Sequence, residues 1–285
     1  MQHTVRFGLR SSQHHRSWAQ IKENFQAAEG WGFESAWVFD HIIPLSDPRT
    51  GPNLDGWTLL AGLAEATSTV EIGPMVTGVT YRNPGMLLKS ITTVDHISNG
   101  RALLGIGAAW FEGEHEMYGI DFPPAGARVT MLREALEIFK GLQSQDRTTY
   151  EGKYYQVRDA IFEPKPVRNP MPVVIGGSQP RMLRIIAEFA DQWDNNFRDP
   201  EEYKARLAQV EEHCRKIGRD PSAIRRSTTL GADFYGQSDE QQLTRLEGLR
   251  ALGMTDFLFH APDDLNEMRA FAETTVPQLR QAWSG

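Results

Sequence analysis

The sequence predicts an α/β protein built as a single (β/α)8 TIM barrel. Short apolar runs alternate with amphipathic segments along the 285 residues, and this alternation is typical of parallel strands joined by helices. The strand-and-helix unit occurs eight times without a break, so right-handed crossovers favour a closed barrel over an open doubly wound sheet. Because such barrels of about 250 residues form one domain, we expect a single domain over residues 1–285.

The eight apolar runs predict strands at residues 5–9, 35–39, 70–77, 102–106, 173–175, 192–194, 226–230 and 256–260. Capping residues mark the starts of several helices between them. Ser17 and Gln20 form a capping box before the first helix, and Asn83 and Asp199 each precede a proline that suits the first helical turn. Gly218 is predicted to end the sixth helix.

One segment does not fit the strand-and-helix repeat. Residues 149–162 predict a short hairpin between the fourth helix and the fifth strand, and several prolines lead from it into that strand. The whole insertion spans residues 145–172, and we expect it to cover one end of the barrel.

Composition excludes several classes of partner. The chain has 30 Lys and Arg against 37 Asp and Glu, a net charge of −7, which argues against a nucleic-acid or anionic membrane surface. The one cysteine, Cys214, excludes an intramolecular disulfide framework and is expected to fill the core. No apolar run approaches about 20 residues, so we expect a cytoplasmic protein.

The functional groups of a (β/α)8 barrel lie at the carboxyl ends of its strands. Asp40 and His41 follow the second strand, where an imidazole beside a carboxylate can exchange a proton with a substrate or cofactor. A purely structural hydrogen bond is the alternative for this histidine.

A glycine turn follows the fifth strand. Gly176, Gly177 and Ser178 precede a predicted helix, so their backbone N–H groups and the serine hydroxyl could bind a phosphate. The alternative is a tight turn that uses glycine for clearance and serine as a helix cap.

Further candidates follow the third and fourth strands. Thr77 lies at the end of the third strand and Gly107 after the fourth, and we predict a substrate pocket formed by Trp110, Glu112, Glu114 and His115. We expect no metal, because the hydrolase barrels that bind metal need a His-x-His pair at the end of the first strand.

These motifs, in this order and spacing, resemble the luciferase-like monooxygenase superfamily of flavin and deazaflavin oxidoreductases. The matching segments span nearly the whole chain and are 32–41 (GFESAWVFDH), 72–77 (IGPMVT), 81–84 (YRNP), 100–107 (GRALLGIG), 110–119 (WFEGEHEMYG), 150–166, 176–177 (GG) and 190–194 (ADQWD). The resemblance implies a barrel that binds a tricyclic ring at its carboxyl face.

Asp40 and His41 are most similar to the branch that uses the deazaflavin coenzyme F-420. The resemblance implies hydride transfer to or from a small organic substrate, with His41 beside the reactive ring. It also implies a cis peptide bond between Met75 and Val76 that forms a bulge behind the ring. The cofactor-binding residues implied are Met75, Val76, Thr77, Gly107, Gly176, Gly177 and Ser178.

Two other functions remain open. One is a monooxygenase that uses FMN, supplied in reduced form by a partner reductase, and the other is a non-catalytic ligand-binding barrel. The resemblance also implies a homo-oligomer such as a homodimer. Pro44, Gln13 and Trp110 stand where sugar-phosphate dehydrogenases of the superfamily carry a tryptophan and two acidic residues, which makes a sugar phosphate a doubtful substrate.

Overall fold

Nine parallel strands form one sheet in the computed structural model, which describes residues 3–197 and 199–283. The other positions of the predicted 1–285 domain lie outside the described residues. In chain order the strands are β1 Arg6–Arg10, β2 Ser35–Val38, β3 Glu71–Pro74, β4 Thr77–Gly78, β5 Leu104–Gly107, β6 Thr148–Glu151, β7 Gln156–Ala160, β8 Val173–Gly176, β9 Gln192–Asp194, β10 Arg225–Leu230 and β11 Asp256–His260. Strands β6 and β7 form a separate antiparallel pair.

The large sheet closes on itself because its two end strands, β3 and β4, are consecutive parts of one interrupted strand. Strand β3 pairs with β2, β4 pairs with β5, and Ile72 forms a parallel bridge to Ala102. The predicted barrel is therefore confirmed. The predicted third strand is interrupted at Met75 and Val76, which are joined by a cis peptide bond, as the resemblance implied.

The helices cover the outside of the barrel. They are α1 Trp18–Gly30, α2 Gly56–Ala66, α3 Pro84–Ile97, α4 Glu112–Tyr118, α5 Ala125–Ser144, α6 Pro180–Phe189, α7 Pro200–Lys216, α8 Asp239–Ala251, α9 Asn266–Ala270 and α10 Val276–Trp283, with 3-10 turns at Pro221–Ala223 and Ala232–Phe234 and a π-helical segment at Phe271–Thr275. Ser17 and Gln20 form the predicted capping box, and the side chains of Asn83 and Asp199 cap their helices. No helix of the described ranges is both long enough and apolar enough to cross a membrane.

Alternation along the strands divides the buried side chains into two sets. A small set fills the inside of the barrel and consists of Trp37, Met75, Leu103, Val174 and Leu258. The larger set, which includes Phe257 and Phe259 on either side of Leu258, packs between the strands and the helices together with Cys214. This is the expected consequence of a two-residue strand period, and each large side chain so buried contributes roughly 1.5–3 kcal/mol.

The β6–β7 hairpin lies where the sequence predicted an insertion, between the long helix α5 and strand β8. The buried carboxylate of Glu134 on α5 accepts the backbone N–H groups of Lys153, Tyr154 and Tyr155 at 2.8–3.0 Å. The Tyr155 hydroxyl donates to the carbonyl of Val79, which follows β4. The hairpin thus contacts the carboxyl end of the barrel, but it contributes no residue to the cavity described below.

Candidate active site

A cavity of about 900 Å3 opens at the carboxyl ends of the barrel strands. Most of the residues predicted from the sequence line it: Asp40, His41, Met75, Val76, Thr77, Gly107, Trp110, Gly176, Gly177 and Ser178. Glu112, Glu114 and His115 are not among the residues that line it. All three belong to α4, which begins at Glu112.

His41 is fixed by a carboxylate from another part of the chain. Its Nδ1 lies 2.6 Å from Oε1 of Glu114, which is completely buried on α4. The backbone N–H of Ile42 donates to the other carboxylate oxygen at 2.9 Å, and the hydroxyl of Tyr81 also donates to Glu114. Glu114 therefore accepts three hydrogen bonds, and two of them come from the segment that carries His41.

These hydrogen bonds determine the charge of Glu114 and the tautomer of His41. Burial raises the pKa of Glu114, but the bonds from His41, Tyr81 and Ile42 outweigh burial and hold that pKa below its ordinary value. Since an ionised carboxylate only accepts, Nδ1 of His41 must carry the proton. Nε2 is then the nitrogen of neutral His41 that can accept a proton, and within the described residues it has no hydrogen-bond partner.

Asp40 has a different part from the one predicted. Its Oδ2 accepts from Arg82 at 2.7 Å, from the indole of Trp57 at 3.2 Å and from the hydroxyl of Thr77. Within the described residues this carboxylate forms no hydrogen bond with His41, so it does not orient the His41 ring. Asp40 holds the second and third strands together beside the cavity, and Glu114 supplies the carboxylate that the sequence assigned to Asp40.

The other two predicted pocket residues of α4 lie outside the cavity for different reasons. Glu112 is exposed at the start of the helix. His115 is buried, and both ring nitrogens are used: Nδ1 contacts the carbonyl of Phe111 at 2.8 Å and Nε2 contacts the hydroxyl of Thr80 at 2.7 Å. His115 is therefore a structural residue. The described residues contain no cluster of three or more His, Cys, Asp or Glu side chains suited to a metal ion.

One wall of the cavity is formed by the Met75–Val76 bulge. A Cβ atom at Gly105 would lie 1.8 Å from the carbonyl oxygen of Pro74, and one at Gly107 would lie 3.0 Å from Cγ2 of Val76. The bulge therefore needs glycine on the neighbouring strand β5. The wall that results presents Val76 and bare backbone to the cavity, which suits a flat ligand.

The predicted glycine turn also lines the cavity and begins beside Val76, since a Cβ atom at Gly176 would lie 3.5 Å from Cγ2 of Val76. Helix α6 begins at Pro180 after Gln179, so Ser178 precedes the cap position and does not cap the helix. Gly177 has a φ of 129°, a conformation that only glycine adopts readily. Arg128 and Arg181 line the same region, and neither forms an ion pair with an acidic side chain of the described residues. The turn is thus electropositive.

The inner end of the cavity contains polar residues that were not predicted as site residues. Arg10, the last residue of β1, and Asp194, at the end of β9, both line the cavity, as does Asn195. Tyr81 also lines it and was named only within the matching segment 81–84. The sequence pattern could have identified Arg10, because it lies two residues after Gly8 in β1. Residues at this spacing share the inward face of the strand, so a charged side chain is placed inside the barrel.

Comparisons with known proteins agree with this geometry. The family model of luciferase-like monooxygenases matches residues 2–283. An F-420-dependent glucose-6-phosphate dehydrogenase of Microbacterium testaceum is 32% identical over 219 residues, which cover 75% of this chain and 64%, less than two thirds, of that relative. An uncharacterised protein of Mycobacterium bovis is 29% identical over 271 residues, covering 88% of this chain and 91% of the relative.

Among solved structures, an F-420-dependent secondary alcohol dehydrogenase in complex with an F-420–acetone adduct has a similar fold. The TM-score is 0.86 at 20% identity, over 95% of this chain and 98% of that one. At this identity the likeness supports the barrel and its connectivity alone.

Proposed function

Because the chain belongs to the luciferase-like monooxygenase family, we propose that it is an oxidoreductase that uses coenzyme F-420 and a small organic substrate. The observation that carries this proposal is the His41–Glu114 pair, in which Glu114 holds Nδ1 and leaves Nε2 as the nitrogen that can exchange a proton at the cavity. F-420-dependent relatives support the choice of cofactor.

The residues around the cavity fit a deazaflavin. The cavity volume of about 900 Å3 is in the upper range of small-molecule pockets, and Met75 and Val76 form part of its wall. Arg128, Arg181 and the glycine turn would hold the phosphate of the coenzyme, because cations and backbone N–H groups are the usual phosphate ligands. The ring would then lie against the Met75–Val76 bulge.

Each residue of the His41 cluster would have a separate part in the reaction. When bound, the coenzyme supplies the acceptor or donor of the hydride. Nε2 of His41 takes the proton that leaves a substrate hydroxyl, or returns it in the reverse direction. Glu114 is a positioning residue: it holds the ring and its tautomer, and it favours the imidazolium that forms when Nε2 is protonated. Tyr81 and Ile42 hold Glu114.

A paired hydride and proton change favours an alcohol or carbonyl compound as the substrate class. A sugar phosphate is less suitable. The residue at position 13 is a glutamine, and its amide binds the backbone N–H and C=O of Phe39 at 2.8 and 2.6 Å. The Gln13 side chain is therefore occupied by hydrogen bonds to the backbone, and it offers no charge to a substrate.

The test is a direct comparison of the two coenzymes on purified protein. F-420 and FMN are titrated into the protein, binding is followed by fluorescence, and F-420-linked turnover is then screened with alcohols and ketones. We expect F-420 to bind more tightly and to support turnover. Tighter binding of reduced FMN with oxygen-dependent product would instead establish the monooxygenase, and binding without any turnover would establish a ligand-binding barrel.

A further inference from the structure

Two buried hydrogen-bond donors at the inner end of the cavity have no acceptor. The side chain of Arg10 belongs to a residue that is 7% exposed, and Asn195 is 3% exposed. Within residues 3–197 and 199–283, Nε of Arg10 and Nδ2 of Asn195 have no hydrogen-bond partner. Both residues line the cavity, so a molecule bound there lies next to their side chains.

The direct contacts of the Arg10 guanidinium are all with neutral groups. Nη1 donates to the hydroxyl of Thr229 at 2.7 Å, Nη2 donates to the carbonyl of Met75 at 3.3 Å, and the carbon of the guanidinium lies 4.7 Å from the centre of the Phe39 ring. Arg10 forms no ion pair with an acidic side chain of the described residues. Asp194 is the acidic residue whose charge acts on it, and one oxygen of that carboxylate accepts from Ser227 at 2.9 Å.

Such an arrangement is costly for a folded protein. Arginine keeps its proton in proteins, so burial cannot be relieved by loss of charge. A buried donor without an acceptor costs roughly 1–3 kcal/mol, and a buried charge without a partner costs more. The cost falls when a ligand supplies the acceptor, and two unpaired donors at one cavity indicate where that acceptor binds.

We propose that Arg10 and Asn195 form a subsite for an oxygen that carries full or partial negative charge on the molecule bound in the cavity. This inference rests on the proposed function only in that the cavity binds a ligand. Such an oxygen has two sources, a ring carbonyl of the coenzyme or a carboxylate of the substrate. A guanidinium Nε–H and an amide N–H suit both, because each is a directed donor.

The site of Arg10 makes either source reachable. Its Nη2 binds the carbonyl of Met75 in the wall against which a flat ring would lie, and its neighbour along the barrel, β2, leads to His41. The positive charge of Arg10 adds to those of Arg128 and Arg181, so that a cavity in a protein of net charge −7 is lined by three arginines without ion pairs in the described part of the chain. An anionic ligand is attracted by this distribution.

The proposal is tested with Arg10→Met and Asn195→Leu, which remove the donors and keep similar volume. Arg16→Met is the matched control, because Arg16 lies at the same end of the barrel but binds the carbonyls of Ala261 and Pro262 outside the cavity. Calorimetry gives the affinity of each protein for F-420, FMN, benzoate and the neutral analogue benzyl alcohol. If Arg10→Met does not fold, Arg10→Lys replaces it, since lysine keeps the charge and lacks the Nε–H.

We expect both variants to lose about tenfold or more in affinity for one ligand class, and the control to stay within about twofold of the wild type. Loss for F-420 and FMN alone assigns the subsite to the ring, and loss for benzoate but not benzyl alcohol assigns it to an acidic substrate. Unchanged affinity for every ligand that binds the wild type overturns the subsite while leaving the proposed function intact. If the wild type binds benzoate but not F-420, the proposed function is contradicted, and the subsite is then judged from the benzoate affinities of the variants. If the wild type binds none of the four ligands, both the function and the subsite are overturned.

Discussion

Arg6 and Arg10 lie at the two ends of strand β1 and differ in how their charge is balanced. Arg6, at the amino end, forms ion pairs with Glu71 and Asp256. Arg10, at the carboxyl end, contacts a hydroxyl, a carbonyl and an aromatic ring, all of them neutral. The two residues are four positions apart on one strand, so backbone geometry does not explain the difference.

The amino end of the barrel is a continuous network of paired charges. Glu71 also binds Arg168, and Asp256 is bound by Arg225 at 2.8 Å. Arg280 of α10 pairs with Glu34 at 2.7 Å, and this carboxylate also accepts the backbone N–H of Phe7. These contacts join β1, β3, β10 and β11 to a helix, so we infer that the amino end serves stability.

The carboxyl end retains donors and acceptors that the protein does not satisfy. Nε2 of His41, Nε of Arg10 and Nδ2 of Asn195 are free of protein partners in the described residues, and all three residues line the cavity. Buried nitrogens without a hydrogen-bond partner occur at both ends, since Nε of Arg6 is also one of them, so the difference between the ends lies in ion pairing. Arg6 is paired with acidic side chains, whereas Arg10 lies beside the cavity without an ion pair in the described residues, and we infer that such an unpaired charge marks where a ligand binds. Changes at the amino end should therefore cost stability, and changes at the carboxyl end should cost binding or turnover.

The largest effect is expected from His41→Ala. Loss of a general acid or base typically lowers turnover by 10²–10⁴, so we expect F-420-linked turnover to fall about a thousandfold while coenzyme binding and thermal unfolding change little. His96→Ala removes an exposed imidazole on α3 and is the control. If His41→Ala unfolds the protein and turnover per folded molecule stays normal, His41 belongs with the stabilising groups and the comparison between the two ends breaks.

Arg6→Met is the corresponding change at the amino end. Removing one partner of a buried ion pair typically costs 3–5 kcal/mol, and here Glu71 and Asp256 each keep another arginine, so we expect a loss of about 3 kcal/mol in the free energy of unfolding. Chemical denaturation measures it. Coenzyme affinity should stay within about twofold of the wild type. A large loss of affinity with normal stability would show that the amino end also serves ligand binding.

Sequence patterns were sufficient to predict the barrel, because the spacing of apolar residues that distinguishes a strand from a helix is a local property of the chain. Strand bounds were predicted to within two residues, and the cis bond at Met75 and Val76 followed from family resemblance. The partner of His41 was not predictable in the same way. Glu114 is 73 residues from His41, and the contact depends on how α4 packs over the end of β2. Arg10 was missed for a similar reason. The sequence does not show whether a buried charge has an ion pair, because the possible partners come from distant strands such as β3 and β10.

Glu114→Gln should lower turnover about tenfold to a hundredfold, because the amide still accepts from Nδ1 but no longer favours the imidazolium. The pKa of Glu114 lies below its ordinary value in the folded protein. The ionised carboxylate therefore adds stability above its unfolded pKa, and this stability is lost as pH falls through the folded pKa.

Two measurements identify Glu114 as a positioning residue. In the wild type the stability should decline in this acid range, whereas in Glu114→Gln the corresponding part of the pH dependence should be absent. Nitrogen NMR of the wild type, recorded where the imidazole is neutral, should show the proton of His41 on Nδ1. Glu116→Gln, on the exposed side of α4, is the control. Identical pH profiles for the wild type and Glu114→Gln would contradict the assignment.

A smaller effect is expected at the wall of the cavity. Gly107→Ala would place a Cβ 3.0 Å from Cγ2 of Val76 and push that side chain into the ring position, so we expect coenzyme affinity to fall about fivefold. Gly248→Ala is the control, since Gly248 lies on α8 outside the cavity and its Cβ would meet no atom within 4 Å. Equal affinities for the two variants would show that the Val76 wall does not touch the ring.

The smallest effect on stability is expected from Arg10→Met, and it is the sharpest comparison with Arg6→Met. The substitution loses hydrogen bonds to Thr229 and Met75 but removes a buried charge that has no ion pair, and such replacements by apolar residues are often neutral or stabilising. We expect the free energy of unfolding of the protein without ligand to change by less than about 1 kcal/mol or to rise. The same chemical change four residues apart would then destabilise the protein at one end of β1 and not at the other. A loss as large as that of Arg6→Met would mean that Thr229, Met75 and Phe39 are sufficient partners for Arg10, and its role would then be structural.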